Sequence, residues 1–312
     1  MKKFFALIAL LAALACPDAD AAPRGGGSLI PKPALNAGYT LNTFSCIKCF
    51  TTGTVDMSAT LSHGFKWYLW NFFSHSPSSS GITLGSDGTA ALYQGFNSSL
   101  VSAGLIASPP YYVGTAFGGG GYFEAEVYFN PYTSVSGTDW PAWWMMSLEH
   151  LASDFGSQWP GQATSYNHFM EVDTFEYDRS SITQYGATLH DWYGIYNSTC
   201  GSTGGYCNVP SAFNVATVNV LKGTDWTIPH RIAVLWIPAT ASVNGSYTFY
   251  FDDIPMTQTT YSQFTTQSPP PTTSTSWTFG IGDQQHEVLI LGDLNVKSVN
   301  VWQATTANNL TN

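Results

Sequence analysis

Apolar and polar residues alternate along much of the chain. From Gly121 to Asn130, Phe123, Ala125, Val127 and Phe129 are interleaved with Tyr122, Glu124, Glu126 and Tyr128. A period of two puts the two sets on opposite faces of a β-strand. Runs of the same kind cover Trp140–Leu148, His168–Tyr177, Tyr185–Trp192, Arg231–Ile237, Tyr247–Asp252, Glu287–Leu291 and Val296–Gln303, separated by turn residues. No segment beyond residue 21 keeps a long helical period. Residues 22–40, rich in Gly, Pro and Ala, predict a flexible N-terminal arm, and residues 304–312 a C-terminal tail. Three consecutive prolines make Gln267–Ser276 a loop, because proline cannot sit in a central strand. With no internal repeat or linker, residues 41–303 predict one all-β domain, a β-sandwich or jelly roll.

The first residues break this pattern. Met1-Lys2-Lys3 precedes an apolar stretch from Phe4 to Ala15, and Pro17 and Ala19-Asp20-Ala21 follow. A basic start, a short apolar core and a small-residue site predict a secretory signal peptide over residues 1–21. The apolar stretch is too short for a transmembrane segment, which needs roughly 20 residues. The expectation is a secreted or periplasmic bacterial protein. Leu14-Ala15-Cys16 leaves a lipid anchor through Cys16 as the alternative, against which stand Ala13 and Pro17.

Cleavage would leave Cys46, Cys49, Cys200 and Cys207. An even count in an exported chain favours disulfides, and the spacing favours Cys46–Cys49 and Cys200–Cys207. A redox Cys-x-x-Cys and a four-cysteine zinc site are the other readings. The first lacks a surrounding βαβ pattern, and the second lacks another Cys-x-x-Cys.

The net charge of −10, without a basic run, argues against nucleic acid or an anionic membrane as partner. Only 10% of residues are charged, whereas 15% are aromatic. A surface of hydroxyls, amides and rings suits sugars, which stack on aromatic faces and take neutral hydrogen bonds. A monomer is expected. There is no Gly-x-Ser-x-Gly elbow, phosphate loop or His-Glu-x-x-His, and the seven histidines are scattered, so neither a catalytic metal nor another cofactor is expected.

The segment that carries chemistry is Glu171-Val172-Asp173-Thr174-Phe175-Glu176. Alternation puts Glu171 and Asp173 on one strand face and sends Glu176 to the other. One extra residue, a β-bulge near Thr174-Phe175, returns Glu176 to the first face. Crowded carboxyls cannot all ionise cheaply, so one can remain an acid while another is a nucleophile. Glycoside hydrolysis needs that division. The bland alternative is a solvated acidic edge strand. The flanking Phe169, Met170, Val172, Phe175 and Tyr177 speak against it.

Glu-x-Asp-x-x-Glu on a strand resembles the signature of glycoside hydrolase family 16 in its bulged form, the form of laminarinases, agarases and carrageenases. Other segments are similar in order: Gly121–Val127, the Trp-Pro-Ala run at Trp140–Met146, Thr188–Trp192, Pro229–Trp236, Tyr250–Asp253 and Val296–Gln303. The resemblance spans roughly residues 60–303. It implies a concanavalin-like jelly roll of two curved antiparallel sheets with a cleft across the concave one. It makes Glu171 the nucleophile, Glu176 the general acid/base, and Asp173 the residue between them that sets protonation. Two positions depart from the pattern. Asp253 stands where Gly usually follows the strand Asp. Lys297 stands where many members carry an Asp associated with a structural calcium, which makes calcium doubtful. The insert Ser147–Asn167 and the Cys200–Cys207 loop have no counterpart.

Around the carboxylates, Trp140, Ala142 and Trp144 share a face, and Trp140 and Trp144 are the candidates to stack on sugar. His190 and Trp192 share a face on the next strand, and His190 is a candidate to hydrogen-bond the acid/base or the substrate. Glu124 and Glu126 are expected to face solvent or pair locally. The activity implied is that of a retaining, endo-acting hydrolase of a polysaccharide, β-1,3-glucan first and a galactan or bacterial exopolysaccharide next. A transglycosylase would use the same residues. A lectin-like binding protein on the same fold would need neither Glu171 nor Glu176.

Overall fold

The computed structural model of the chain describes residues 30–46, 48–93, 98–131, 140–152, 166–177, 183–197, 205–206, 215–220, 223–240, 242–261 and 285–312. The expected signal peptide with Cys16, the expected Cys200–Cys207 disulfide, the loop expected at Gln267–Ser276 and most of the Ser147–Asn167 insert lie outside these residues.

Two sheets face each other across one core. The first runs in the order Ile254–Tyr261, Gly245–Phe251, His230–Ile237, Gly121–Tyr128, Asn295–Gln303, Ala90–Leu92, Ile82–Leu84. The second runs Gly205–Tyr206, Gln184–Asn197, Tyr166–Glu176, Ala142–Ser147, Glu287–Gly292, Leu100–Val101, Trp67–Leu69, Val55–Asp56. The long strands pair antiparallel with both neighbours. This is the two-sheet sandwich that the alternation predicts. The chain returns from Glu287–Gly292 in one sheet to Asn295–Gln303 in the other through only two residues, which stitches the sheets together at that corner.

The core is built from the inward set of each strand. Phe123, Ala125, Val127, Ile232 and Val234 from the first sheet meet Trp143, Met145, Met170, Val172, Phe175, Leu289 and Leu291 from the second. Each is essentially inaccessible to water. Burying one large apolar side chain contributes roughly 1.5–3 kcal/mol, so a one-residue slip of any of these strands would be heavily penalised. Register is therefore fixed by burial. The outer face of the second sheet is also apolar over part of its area, with Tyr68, Trp70, Trp144, Met146, Phe169, Val288 and Ile290 packed together there.

Several expectations are corrected. The described part of the expected arm holds a short helix, Lys32–Asn36, opened by Pro31 and Pro33 and packed through Ala34 against Tyr122, Tyr250 and Trp302. The Tyr39 hydroxyl donates to the Trp236 carbonyl at 3.1 Å and ties this segment down. The helix packs on the outer face of the first sheet, and on that face Glu124 is buried instead of facing solvent. Glu126 does pair locally, with Lys297 at 3.1 Å. The tail at 304–312 includes Leu310–Thr311, a strand that pairs with Tyr112–Ala116. Asp253, where a glycine was expected, has a φ of 67°, and Asp252 before it has 48°. The turn keeps the left-handed form that glycine favours, with Asp in its place, and Arg231 binds the Asp253 carboxylate at 2.8 Å. Cys46 and Cys49 form a disulfide. Among the described residues, no helix is long and apolar enough to cross a membrane, and no group of three or more His, Cys, Asp or Glu side chains is arranged to hold a metal ion.

Candidate active site

Strand Tyr166–Glu176 lies between Ala142–Ser147 and Gln184–Asn197. Opposite the first neighbour, Trp143 pairs with Phe175 but Trp144 pairs with Asp173, so Thr174 is the extra residue. Opposite the second, Asp173 pairs with Thr188 and Glu176 with Gly186, three steps against two. The bulge thus falls at Thr174-Phe175, where the sequence requires it. Core burial of Phe175 and Tyr177 on one side forces Glu176 onto the other, beside Glu171 and Asp173.

The three carboxylates open into a cleft of about 490 Å³ on the face turned away from the core. Trp140, Ala142, Trp144 and Met146 line it, as do Ser99, Gly292 and Asp293. Gly292 keeps that wall low, since a Cβ there would stand 2.9 Å from the Ser99 hydroxyl.

Each carboxylate has a defined partner. The Trp192 indole N–H donates to Glu171 Oε2 at 2.7 Å. His190 Nε2 lies 3.0 Å from Asp173 Oδ2. The Trp140 indole N–H donates to Glu176 Oε1 at 2.9 Å. Trp140 is in turn pinned by its backbone N–H, which donates to Asp293 Oδ2 at 2.7 Å. Its ring is 51% exposed, so it can serve the carboxylate and a ligand together. Trp144 also lines the cleft but is largely buried against Trp70, with ring centroids 5.9 Å apart. Trp143 belongs to the core. His190, considered for the acid/base or the substrate, contacts Asp173 and stacks on Trp192 at 5.4 Å.

Protonation follows from this crowding. Burial, with the Asp173 charge alongside, lifts Glu171 from 4.5 to about 8, while His190 and the Trp192 hydrogen bond pull it back. Burial pushes Asp173 well above the carboxylate range, helped by the Glu176 charge and by a hydrogen bond to Glu176. At neutral pH Glu171 therefore holds its proton, and Asp173 is shifted in the same direction.

Gln285 escaped the sequence reading. Its buried side chain accepts from the Met170 N–H at 2.9 Å and donates to the Met170 carbonyl at 2.8 Å, then donates to Glu287 at 2.7 Å. It stands in for a strand neighbour where Ala142–Ser147 turns away into the helix Leu148–Leu151, one residue before Glu171. Burial drives Glu287 well above the carboxylate range. Nothing in a Gln-Gln-His-Glu stretch marks the first or second amide as a clamp without the fold.

No family model and no curated protein matches the chain. Among solved structures it is similar to the endo-1,3-beta-glucanase from Streptomyces sioyaensis, with 15% identity and a TM-score of 0.43 over 92% of this chain and 100% of that one. The laminarinase from Rhodothermus marinus shares 18% identity, with a TM-score of 0.42 over 85% of this chain and 97% of that one. The catalytic domain of the endo-1,3-beta-glucanase (laminarinase) from Thermotoga petrophila RKU-1 shares 13%, with a TM-score of 0.42 over 86% and 99%. At such distances the chemistry has to be read from the side chains themselves.

Proposed function

We propose that the protein is an exported, retaining glycoside hydrolase that cuts internal β-linkages of a polysaccharide, with β-1,3-glucan as the first candidate. The observation that carries this is the bulge: it brings two glutamates and an aspartate, each with a distinct partner, onto one cleft wall. Glu171 attacks the anomeric carbon, and the bond to the leaving oxygen breaks as Glu176 delivers a proton to that oxygen. Glu176 then takes a proton from the water that releases the glycosyl-enzyme, and Glu171 leaves as carboxylate. Asp173, hydrogen-bonded to Glu176 between the two glutamates, helps set their protonation. Trp192 steadies the charge that returns to Glu171. The β-1,3 preference follows the bulged Glu-x-Asp-x-x-Glu form, which resembles laminarinases. A chain lying in a cleft needs no free end, so internal cutting is expected.

The test is a panel of soluble β-glucans, galactans and bacterial exopolysaccharides, with product sizing. Viscosity should fall sharply while few reducing ends appear. Release of monosaccharide alone from the first minutes contradicts endo action, and inertness on the whole panel contradicts the enzyme reading.

The acid limb of the rate profile gives a second check. Glu171 must be ionised to attack, and its proton is held towards pH 8, so kcat/KM should rise through a midpoint above the ordinary carboxylate range. His190 lowers that midpoint by its charge. In His190→Gln the acid limb should move up by as much as about one pH unit. A limb that stays put, or moves down, removes His190 from the protonation of the site.

A further inference from the structure

Phe73 has not been accounted for by the chemistry above. It is 50% exposed, although Trp70 and Phe72 beside it are fully buried. Its φ is 53°, and that of Ser74 is 62°. A bulky aromatic residue in the left-handed region is strained, and strain of this kind persists only where the surroundings impose it. They do so here. The Trp70 N–H is held by the Ser99 carbonyl at 3.0 Å, and the His75 N–H by the Phe72 carbonyl at 3.0 Å. The Asn71 side chain donates to the Leu105 carbonyl at 2.8 Å and accepts its N–H at 2.9 Å. The segment on both sides of Phe73 is fixed, and the ring is turned outward from it.

The ring is turned to the cleft. Phe73 lines the same cavity as Glu171, Asp173 and Glu176. Its back rests on Trp70 at 5.9 Å and on His150 at 5.7 Å. His150 in turn stacks on Phe169 at 3.7 Å with the planes 11° apart, and burial lowers it to about 3, so it is a neutral ring. A wall of neutral rings supports Phe73 without offering a charge. The strand that leads into Phe73 is three places beyond Ala142–Ser147 in the sheet, on the side away from His190 and Trp192. Between lie Ser99, Gly292 and Asp293, which are small or polar. The cleft thus has an exposed ring at Trp140, next to Glu176, and a second exposed ring at Phe73.

We propose that Phe73 is a stacking platform for a sugar ring of the same substrate chain, at least one unit away from the linkage that is cut, and so sets a minimum chain length. This rests on the hydrolase reading above. Pyranose rings present an apolar C–H face, and an exposed ring backed by other neutral rings suits that contact more than it suits a hydrogen-bonding ligand.

The experiment measures binding by calorimetry to the Glu171→Gln chain, which holds substrate without turning it over. β-1,3-linked oligosaccharides of two to seven units are compared with β-1,4-linked glucans and agaro-oligosaccharides of the same lengths. Affinity should climb with length and then level off. Adding Phe73→Gly should weaken the longest ligand by about tenfold, and Phe73→Trp should restore it. Phe73→Gly should melt no lower than its parent, because glycine accepts the left-handed backbone freely. Equal loss for the shortest and longest ligands, or none for either, overturns the platform while leaving the hydrolase reading intact. Length-dependent loss on a glycan other than β-1,3-glucan upholds the platform and overturns the proposed substrate. If no glycan binds with Phe73 in place, both fall.

Discussion

Glu171→Ala should lose roughly 10⁴-fold or more in kcat, on polysaccharide and on activated aryl glycosides alike. The nucleophile is needed for every substrate, because no leaving group, however good, supplies the missing bond to the anomeric carbon. Glu176→Ala should fail differently. On polysaccharide, loss of the proton donor costs about 10²–10⁴-fold. On an aryl glycoside whose phenolate leaves unaided, the enzyme should still become glycosylated, and the second step then stalls without a base. Azide needs no base to attack, so added azide should restore turnover and give a β-glycosyl azide. Native enzyme should release the β-anomer first, followed by proton NMR, since two displacements at one carbon give net retention. An α-anomer appearing first would sink the retaining assignment and the two roles with it. Azide rescue of the Glu171 variant with a β-azide, and of the Glu176 variant with an α-azide, would exchange only the roles.

The reason these residues were legible lies in period and spacing. Glu171 and Asp173 are two apart and Glu176 is three further on, so a strand can bring them together only by inserting one residue. The inserted residue is Thr174, and the register on both sides places it there. Likewise alternation separates Trp143, which lies in the core, from Trp144, which lines the cleft with Trp140 just before the strand. What stayed hidden depends on chain segments far apart in sequence. Gln285 acts on Met170 across 115 positions. His190 finds Asp173 because of strand register, which a list of histidines cannot supply. The short strands Val55–Asp56, Trp67–Leu69, Ile82–Leu84, Leu100–Val101 and Ala103–Leu105 hold two or three residues each, too few to display a period. Ile254–Tyr261 is long enough, but it is an edge strand with exposed residues on both faces, and its alternation is correspondingly faint.

Glu171→Gln should make the protein more stable at pH 8 by on the order of 2 kcal/mol, and change little at pH 4.5. In the unfolded chain this glutamate titrates near 4.5, and in the folded protein near 8, with burial the main cause and the Asp173 charge second. Between those values the native state holds a proton that the unfolded state has released. Stability from this group is therefore full below about pH 4.5 and is lost progressively as pH rises to 8. The whole shift corresponds to more than 2 kcal/mol, but Glu171 retains partial access to the cleft, and water there screens part of the cost. A glutamine keeps the shape and can still accept from the Trp192 N–H, yet never ionises. The variant should thus lose most of the parent's downward slope while Asp173 and Glu287, raised for the same reason, preserve a residual one. Urea denaturation of both chains at pH 4.5, 6 and 8 gives the difference directly. A gain that is the same at all three values would assign it to packing, and a parent that grows more stable towards pH 8 relative to the variant would mean that Glu171 is ionised in the folded cleft. A gain that grows with pH would also explain the tension at the site: the carboxylate that must attack is held where ionising it costs stability, and that cost is what makes it reactive.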